Sequence, residues 1–375
     1  MRIRLLTVLA LIALPMALPA TADAAKRKVP AKFYGTMWDK EIADASPEIY
    51  DQQFAKMAVN GVEAARVIFS WNLAQEQQGQ TTYRFTDPMI EYAARHGIEP
   101  LPVVTYAPPW ARVEPNELGS APSNYQAYAD YLKLLIARYG PGGQFWKEKP
   151  GVPYRPVRIW QLWNEPGVQY QWSPQADWPR KYGELLKLGY ATVKQADPGA
   201  KVVMAGLANA SWEEIAALYE QGAINGNFDI AAVHYFTKAA SQFLEVSKRF
   251  RAAMDAHGGR SVPIWWTEAG GSASKGRINS PGNEHFQTTD KDLARQLTKA
   301  YDLFVKNRNK LRIQRVYWYT WSSSYSQSAG AFDFSGMNVF DGRRVSPKPS
   351  LAAYRASARK YEGCKKDQRA RCVRR

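Results

Sequence analysis

Residues 159–166 read Ile159-Trp160-Gln161-Leu162-Trp163-Asn164-Glu165-Pro166. An apolar run leads directly into an amide and a carboxylate, and Pro166 then ends the strand because proline has no backbone N–H to donate. An isolated Asn-Glu-Pro is more often a solvated turn. At the end of a buried strand, however, the pattern places Asn164 and Glu165 at the edge of a sheet, where conserved chemistry of parallel barrels is found.

A second stretch has the same form, and it reads Ile264-Trp265-Trp266-Thr267-Glu268-Ala269-Gly270-Gly271. Here Glu268 leaves an apolar run just before two glycines, which allow a loop to approach closely. An ion pair with Arg66 could account for Glu268 alone, but it leaves Glu165 unexplained. Two strand-end carboxylates in one barrel mouth are the pair required to hydrolyse a glycosidic bond, one as an acid and one as a nucleophile or base.

The rest of the chain predicts a (β/α)8 TIM barrel, an α/β fold. Short β-branched and aromatic runs alternate eight times with segments of helical period. No Gly-x-Gly-x-x-Gly follows the first strand, and polar groups fall at several strand ends, which favours a barrel over an open doubly wound sheet. The predicted strands are Phe33–Trp38, Glu63–Ser70, Glu99–Thr105, Val157–Trp163, Lys201–Ala205, Asp229–Tyr235, Pro263–Thr267 and Arg315–Thr320.

Helices are predicted between the strands, and four long connections follow strands as candidate substrate walls. The predicted helices include Pro88–His96, Asn124–Tyr139, Trp178–Ala196, Lys291–Asn307 and Ser350–Tyr361. The four connections are Tyr106–Ser123, Pro166–Asp177, Ala269–Asp290 and Ser322–Lys348.

The 375 residues divide into three predicted segments. Residues 1–25 resemble an export signal, with Arg2 and Arg4 before an apolar run and a small-x-small site at Ala22-Asp23-Ala24. The run is too short to span a bilayer, so we expect a secreted protein, extracellular or periplasmic, without stable membrane insertion after cleavage. Residues 26–362 form one barrel domain, and residues 363–375 form a basic tail.

The net charge of +16 is concentrated at the two ends of the chain. Residues 355–375 carry nine Lys or Arg against Glu362 and Asp367, whereas residues 33–354 carry a net charge of only +4. A basic barrel face is therefore not indicated, and we expect no nucleic-acid partner. The tail is either a solvated charge run or a contact for anionic envelope polymer, and Cys364 and Cys372 within it could close a small disulfide loop.

These motifs resemble the clan A retaining glycoside hydrolases, and most closely their families 39 and 5. The resemblance spans most of the mature chain. It implies that Glu165 is the acid/base, that Asn164 binds the sugar 2-hydroxyl, that Glu268 is the nucleophile and that Arg66, in Ala65-Arg66-Val67, contacts that nucleophile. Independently of the family, a guanidinium favours the ionised form of Glu268, while tryptophans around Glu165 favour its protonated form.

The resemblance implies a retaining hydrolase that cleaves β-linked bonds of a polysaccharide or oligosaccharide by double displacement, without metal or organic cofactor. Strand six departs from the family pattern, because related enzymes often carry His-x-Tyr where this chain has Val233-His234-Tyr235-Phe236. Strand alternation sends His234 and Tyr235 to opposite faces unless a bulge intervenes. We therefore favour His234 as the site residue and leave Tyr235 open.

Aromatic side chains are the expected sugar contacts, because flat rings pack on the C–H faces of sugars with little loss of entropy. On strand eight, Trp318 or Trp321 matches the aromatic residue of the related enzymes. Aromatic residues within strands are more often core, so loop residues are favoured. The candidates are Tyr106, Trp110, Trp172, Trp318 and Trp321.

Three other functions account for part of the sequence. A non-catalytic carbohydrate-binding barrel of the cell envelope is the main alternative, although it would not need both glutamates. A basic envelope or nucleic-acid-binding protein would need a basic barrel face. A metal-dependent barrel hydrolase is the weakest enzyme alternative, because ligands are scarce among His96, His234, His257 and His285.

Overall fold

The computed structural model describes residues 27–208, 210–221, 224–326 and 330–363, and the backbone of residues 365–366 and 372–373. The predicted signal at residues 1–25 and most of the basic tail lie outside the described residues. So does the disulfide loop that Cys364 and Cys372 could close, because neither side chain is described. Among the described residues, no helix is both long enough and apolar enough to cross a membrane.

Eight parallel strands, β1 to β8, close into a barrel in chain order. The closure is made by β1 and β8, where Thr36 pairs with Trp318. The predicted (β/α)8 barrel is confirmed. The strands are β1 (Tyr34–Trp38), β2 (Ala64–Ser70), β3 (Glu99–Thr105), β4 (Ile159–Leu162), β5 (Lys201–Leu207), β6 (Ile230–Phe236), β7 (Ile264–Gly270) and β8 (Ile313–Tyr319).

Helices connect the strands and surround the barrel. All five predicted helices are present: Trp178–Ala196 has the predicted bounds, and the ends of the other four shift by at most four residues. The helices are α1 (Pro47–Val59), α2 (Trp71–Ala74), α3 (Thr86–Arg95), α4 (Tyr125–Tyr139), α5 (Gln144–Glu148), α6 (Trp178–Ala196), α7 (Ser211–Glu220), α8 (Ala240–Ala256), α9 (Asp290–Leu311) and α10 (Pro349–Glu362).

The two motif strands differ in length from the prediction. Strand β4 is four residues long rather than the seven of Val157–Trp163: it begins at Ile159, and it ends before Trp163, whose backbone turns to a φ of 72°, outside the strand region. Strand β7 instead runs on to Gly270, so Glu268 lies inside it rather than after it. A register shift between β7 and β8 accompanies this extension.

The connection after β8 contains a small accessory sheet. It consists of β9 (Ser322–Ser323), β10 (Asn338–Phe340) and β11 (Val345–Pro347), in the order β11-β10-β9. A two-stranded pair, β12 (Lys365–Lys366) and β13 (Cys372–Val373), lies in the tail. The sequence predicted neither, because strands of two or three residues carry too little periodicity.

The layer between barrel and helices is rich in aromatic side chains. Trp266 packs against Phe243 of α8 and Phe304 of α9, with ring centroids 5.4 and 5.2 Å apart. Trp160 is fully buried. Burial of such rings contributes roughly 1.5–3 kcal/mol each, so this layer fixes the strand ends rigidly. The site is thereby built on a stiff frame.

Candidate active site

A cavity of about 960 Å³ opens at the carboxyl ends of the barrel strands. It is the face on which (β/α)8 enzymes carry their sites, and its volume lies at the upper end of the range for ligand pockets. Polar and aromatic residues dominate the part of its lining near the strand ends: Asp39, Ser70, Asn72, Tyr106, Asn164, Glu165, Tyr170, Gln171, His234, Tyr235, Glu268 and Tyr319.

The chain adopts an unusual backbone where it delivers Glu165. Trp163 has a φ of 72° and Glu165 a φ of 41°, both in the left-handed region that non-glycine residues seldom adopt. The Glu165 N–H donates to the Gly206 carbonyl of β5 at 3.2 Å, which ties this turn to the barrel. Backbone in such conformations is maintained where function requires a side chain to be aimed.

Arg66 connects the two ends of the predicted site. Its Nε donates to Gln161 Oε1 at 2.7 Å, one Nη to Glu268 Oε1 at 2.6 Å and the other Nη to Asn164 Oδ1 at 2.7 Å. The guanidinium is 0% exposed, so the ion pair with Glu268 is shielded from water. Because the Asn164 oxygen is occupied, its amide N–H groups are the donors left for a ligand.

His234 joins the two carboxylates from the opposite side. Its Nδ1 lies 2.7 Å from Glu165 Oε1 and 3.8 Å from Glu268 Oε1, and its Nε2 lies 2.8 Å from Thr267 Oγ1. One polar atom from each of His234, Glu165 and Glu268 lies within 4.8 Å of the other two. The imidazole is thus held at both nitrogens, and it fixes the position of the Glu165 carboxyl.

Burial controls the charge of these three groups. Desolvation raises the pKa of Glu165 to about 7, although Arg66 opposes the shift. Desolvation also raises the pKa of Glu268, against the attraction of His234 and Arg66 for its carboxylate. It lowers the pKa of His234 to about 3, so the imidazole is neutral. The predicted contact between Arg66 and Glu268 is present, but it does not outweigh the effect of burial.

Strand β6 brings both of its predicted candidates to the cavity. A register irregularity between β6 and β7 at Val233 and His234 breaks the strict alternation of the strand. His234 and Tyr235 consequently both line the cavity. Gly206 of β5 makes room for the imidazole, because a Cβ at this position would lie 1.9 Å from His234 Nε2.

Four predicted aromatic contacts do not line the cavity, whereas Tyr106 does. Trp172 is 0% exposed and packs on Trp163 at 5.3 Å, in a core that the loop covers. Trp110 turns its ring edge to Trp71 and donates Nε1–H to the Gln75 carbonyl at 2.9 Å. Trp172 is therefore buried although it lies in a loop, whereas Trp110 is half-buried outside the cavity lining.

Strand eight supplies a different aromatic residue from the two predicted. Trp318 points outward against Phe243 and Tyr301, both 6.1 Å away, and Trp321 is buried with Nε1–H donating to Gln53 Oε1 at 3.2 Å. Because side chains alternate along a strand, the residue after Trp318 faces the barrel mouth. Tyr319 accordingly lines the cavity.

Sequence reasoning also missed a carboxyl behind the acid/base loop. Glu214, on the first turn of α7, lies against Gly167, where a Cβ would come within 2.1 Å of its Oε1. Desolvation, together with the nearby Glu165, raises the pKa of Glu214 to about 8. The helix pattern alone gave no sign of this, because a first-turn glutamate is ordinarily a solvated partner of the helix dipole.

The cluster of Glu165, His234 and Glu268 is compact enough to be considered as a metal site. Two features favour acid–base chemistry instead. His234 and Glu165 are already in direct hydrogen-bond contact, and Arg66 places a positive charge 2.6 Å from Glu268 Oε1. A cation at the centre of the cluster would meet that guanidinium at short range, which like-charge repulsion disfavours.

The Arg66→Lys variant tests whether the site needs the three divergent hydrogen bonds of the guanidinium as well as its charge. Lysine retains the positive charge but cannot make the three divergent contacts that Arg66 makes. We expect kcat for the reaction at this site to fall by about 10²-fold, the scale of loss when a catalytic group moves by an ångström, with a smaller change in KM.

The matched control is Arg315→Lys. Arg315 pairs with Glu99 at the amino end of β3, on the opposite face of the barrel. This variant should lose stability to urea but keep its kcat. If Arg66→Lys retains the wild-type kcat while unfolding at lower urea, Arg66 serves only the fold.

No family model matches this chain, and no curated protein matches it in sequence. Solved structures do. A family 39 glycoside hydrolase from the gut symbiont Bacteroides cellulosilyticus has a TM-score of 0.66 at 19% identity, covering 89% of this chain and 64% of that chain. A monomeric β-xylosidase from Caulobacter crescentus has a TM-score of 0.63 at 17% identity, covering 88% and 68%.

A β-glucosidase from Exiguobacterium marinum is similar over 84% of this chain and 87% of its own, with a TM-score of 0.59 at 13% identity. The chain spans just under two thirds of the length of the Bacteroides cellulosilyticus structure. At these identities the likeness establishes the architecture. The protein is a (β/α)8 barrel with the fold seen in family 39 glycoside hydrolases.

Proposed function

We propose that this protein is a retaining glycoside hydrolase that cleaves β-linked bonds of a polysaccharide or oligosaccharide. The observation that carries the proposal is the approach of two buried carboxyls, Glu165 in the turn after β4 and Glu268 in β7, with oxygen atoms within 4.8 Å, in an open cavity. Retaining enzymes hold their carboxyl groups about 5–5.5 Å apart, whereas inverting enzymes need about 6.5–9.5 Å to admit water between them.

In the first step Glu268 attacks the anomeric carbon and Glu165 protonates the departing oxygen. The attack forms a C–O bond to Glu268 while the glycosidic C–O bond breaks, and the proton of Glu165 leaves with the alcohol. Burial keeps Glu165 protonated up to about neutral pH, since its pKa is raised to about 7. Arg66 holds Glu268 Oε1 at 2.6 Å and so orients the nucleophile.

In the second step Glu165, now ionised, accepts a proton from water, and the oxygen of that water attacks the anomeric carbon. The bond to Glu268 breaks, and the sugar leaves with its original anomeric configuration. Neutral His234, 2.7 Å from Glu165 Oε1, holds the carboxylate in place while its charge changes. Asn164, anchored by Arg66 through its oxygen, offers its amide N–H groups to the sugar 2-hydroxyl.

The location of the protein outside the cytoplasm is proposed from the sequence of the two ends of the chain. Residues 1–25 have the pattern of an export signal, which supports secretion to the periplasm or beyond. The basic tail, with nine Lys or Arg in residues 355–375, supports contact with anionic envelope polymer. Neither the cofactor-free mechanism nor the carbohydrate partner depends on this location.

The pH dependence of kcat/KM follows from the two raised pKa values. The reaction needs Glu165 protonated, so activity should fall as pH rises through about 7. It needs Glu268 ionised, so activity should also fall in acid, at a pH above the ordinary glutamate value of 4.5. Replacing Glu165 by Gln should abolish the alkaline limb. An unchanged alkaline limb in that variant would assign it to another group.

The stereochemical outcome tests the proposal as a whole. Wild type is incubated with aryl β-glucosides, β-xylosides and oligosaccharides, and the first-formed sugar is followed by proton NMR before mutarotation. We expect the β-anomer first. Release of the α-anomer would contradict double displacement. Binding of oligosaccharides without any hydrolysis would favour the non-catalytic carbohydrate-binding barrel instead.

A further inference from the structure

The walls of the catalytic cavity carry negative charge, in contrast to the basic ends of the chain. Four acidic side chains line it, from Asp39, Asp44, Glu165 and Glu268, of which Glu165 is the one that burial keeps protonated, and no Lys or Arg is found among its described lining residues. The guanidinium of Arg66 is paired with Glu268 and is 0% exposed. An anionic sugar would therefore meet the like charge of Asp39 and Asp44 without a Lys or Arg among the described lining residues to bind it.

Asp39 is the carboxylate that the proposed mechanism leaves unused near the nucleophile. It follows β1, and its Oδ2 accepts a hydrogen bond from Tyr319 Oη at 2.9 Å. Tyr319 ends β8, which lies between β1 and the β7 strand that carries Glu268. Asp39, Tyr319 and Glu268 thus occupy three successive strand ends on one side of the mouth.

That arrangement places Asp39 beside the sugar that binds at Glu268. The sugar ring that becomes bonded to Glu268 must lie against the strand ends that flank the nucleophile. Asp39 is half-buried there, lines the cavity and is fixed by a buried tyrosine. An ionised carboxylate accepts several hydrogen bonds, so the bond from Tyr319 leaves acceptor capacity for sugar hydroxyls. A carboxylate on the substrate could donate none and would be repelled.

We propose that Asp39, oriented by Tyr319, is a specificity-determining residue that binds the hydroxyl groups of an uncharged sugar and excludes uronic acids. This inference rests on the proposed glycosidase function and names its substrate class. The tail and the cavity then bind different ligands. Anionic polymer can contact the basic tail, whereas the sugar that is cleaved in the cavity is neutral.

The test compares sugars that differ only at C6. We would measure kcat/KM for 4-nitrophenyl β-glucoside, β-xyloside and β-glucuronide with wild type, Asp39→Asn and Tyr319→Phe. Asparagine keeps the shape of Asp39 but removes its charge. We expect wild type to favour the neutral glycosides, and Asp39→Asn to lower their kcat/KM by about 10- to 100-fold, the scale of a lost charged hydrogen bond. In the same variant, the ratio of kcat/KM for the neutral glycosides to kcat/KM for the glucuronide should decrease.

Tyr319→Phe should also decrease the ratio of kcat/KM for neutral glycosides to that for the glucuronide, but by less than Asp39→Asn does. The matched control is Asp130→Asn, which removes the same charge from the exposed face of α4, outside the cavity lining. It should leave the ratio unchanged. A wild type that prefers the glucuronide, or an Asp39→Asn variant with the wild-type ratio, would overturn the proposal and leave the glycosidase function standing.

A binding measurement separates this proposal from the function on which it rests. Calorimetry with the full chain carrying Glu165→Gln, which cannot protonate a leaving group, compares cellotetraose with a β-1,4-linked tetramer of glucuronic acid, which differs from it only at C6. Preferential binding of cellotetraose that weakens in the added Asp39→Asn background supports the role of Asp39, even if wild type hydrolyses nothing. Equal binding of both, or tighter binding of the glucuronic acid tetramer, contradicts it.

Discussion

Glu268→Gln is expected to lower kcat/KM for every glycoside substrate by about 10⁵- to 10⁶-fold, the scale of loss when a catalytic nucleophile is removed. An amide of the same shape keeps the contact volume in the buried network but cannot attack the anomeric carbon. Arg66 would lose the carboxylate whose Oε1 lies 2.6 Å from its Nη1 in wild type, so the free energy of unfolding should also fall. Steady-state rates and urea denaturation measure the two effects separately.

The matched control for this variant is Glu99→Gln. Glu99 is also a strand-end glutamate paired with an arginine, Arg315, but it lies at the amino end of β3. We expect a comparable change in unfolding with little change in rate. If Glu268→Gln keeps more than a few per cent of wild-type kcat/KM, another group must be the nucleophile.

Glu165→Ala is expected to have an effect that depends on the leaving group. Loss of a general acid costs about 10²- to 10⁴-fold when the departing oxygen must be protonated. A 2,4-dinitrophenolate leaves without a proton, so its first step should be nearly unaffected, and the covalent intermediate should accumulate because no base activates water. The measurements are kcat/KM across aryl glycosides of rising leaving-group pKa, and the burst of dinitrophenolate.

His234→Asn serves as the comparison for this prediction. The imidazole contacts Glu165 through Nδ1 at 2.7 Å, so the substitution disturbs the acid/base carboxyl without removing it. We expect a smaller loss than in Glu165→Ala, with the same dependence on the leaving group. A uniform loss across all leaving groups in Glu165→Ala would show that Glu165 does not donate the proton.

The two motif strands were predictable because their chemistry is local. Asn164 and Glu165 follow an apolar run and precede a proline, and Glu268 stands between tryptophans and glycines. Strand ends of a parallel barrel meet at one face, so their spatial proximity followed from the eightfold alternation alone. The resemblance to clan A enzymes added Arg66, and the structure places it against Glu268.

The outer site was less predictable, because it depends on strand register and loop packing. A bulge at Val233 and His234 brings two neighbouring side chains to one cavity, and no residue there signals it. On β8 Trp318 packs outward against Phe243 and Tyr301, so alternation places Tyr319 rather than Trp318 in the cavity lining. Trp172 packs against the ring of Trp163 and is buried. Such outcomes are decided by tertiary contacts rather than by local pattern.

Azide rescue tests the unequal roles of the two glutamates most directly. Small anions can occupy the space left by a deleted carboxylate and attack the anomeric carbon from the same side. With an activated β-glycoside, Glu268→Ala plus azide should yield the α-glycosyl azide, and Glu165→Ala plus azide should yield the β-glycosyl azide. Identification of the products by NMR with the two configurations exchanged, or the same configuration from both variants, would contradict the assignment of Glu268 as nucleophile and Glu165 as acid/base.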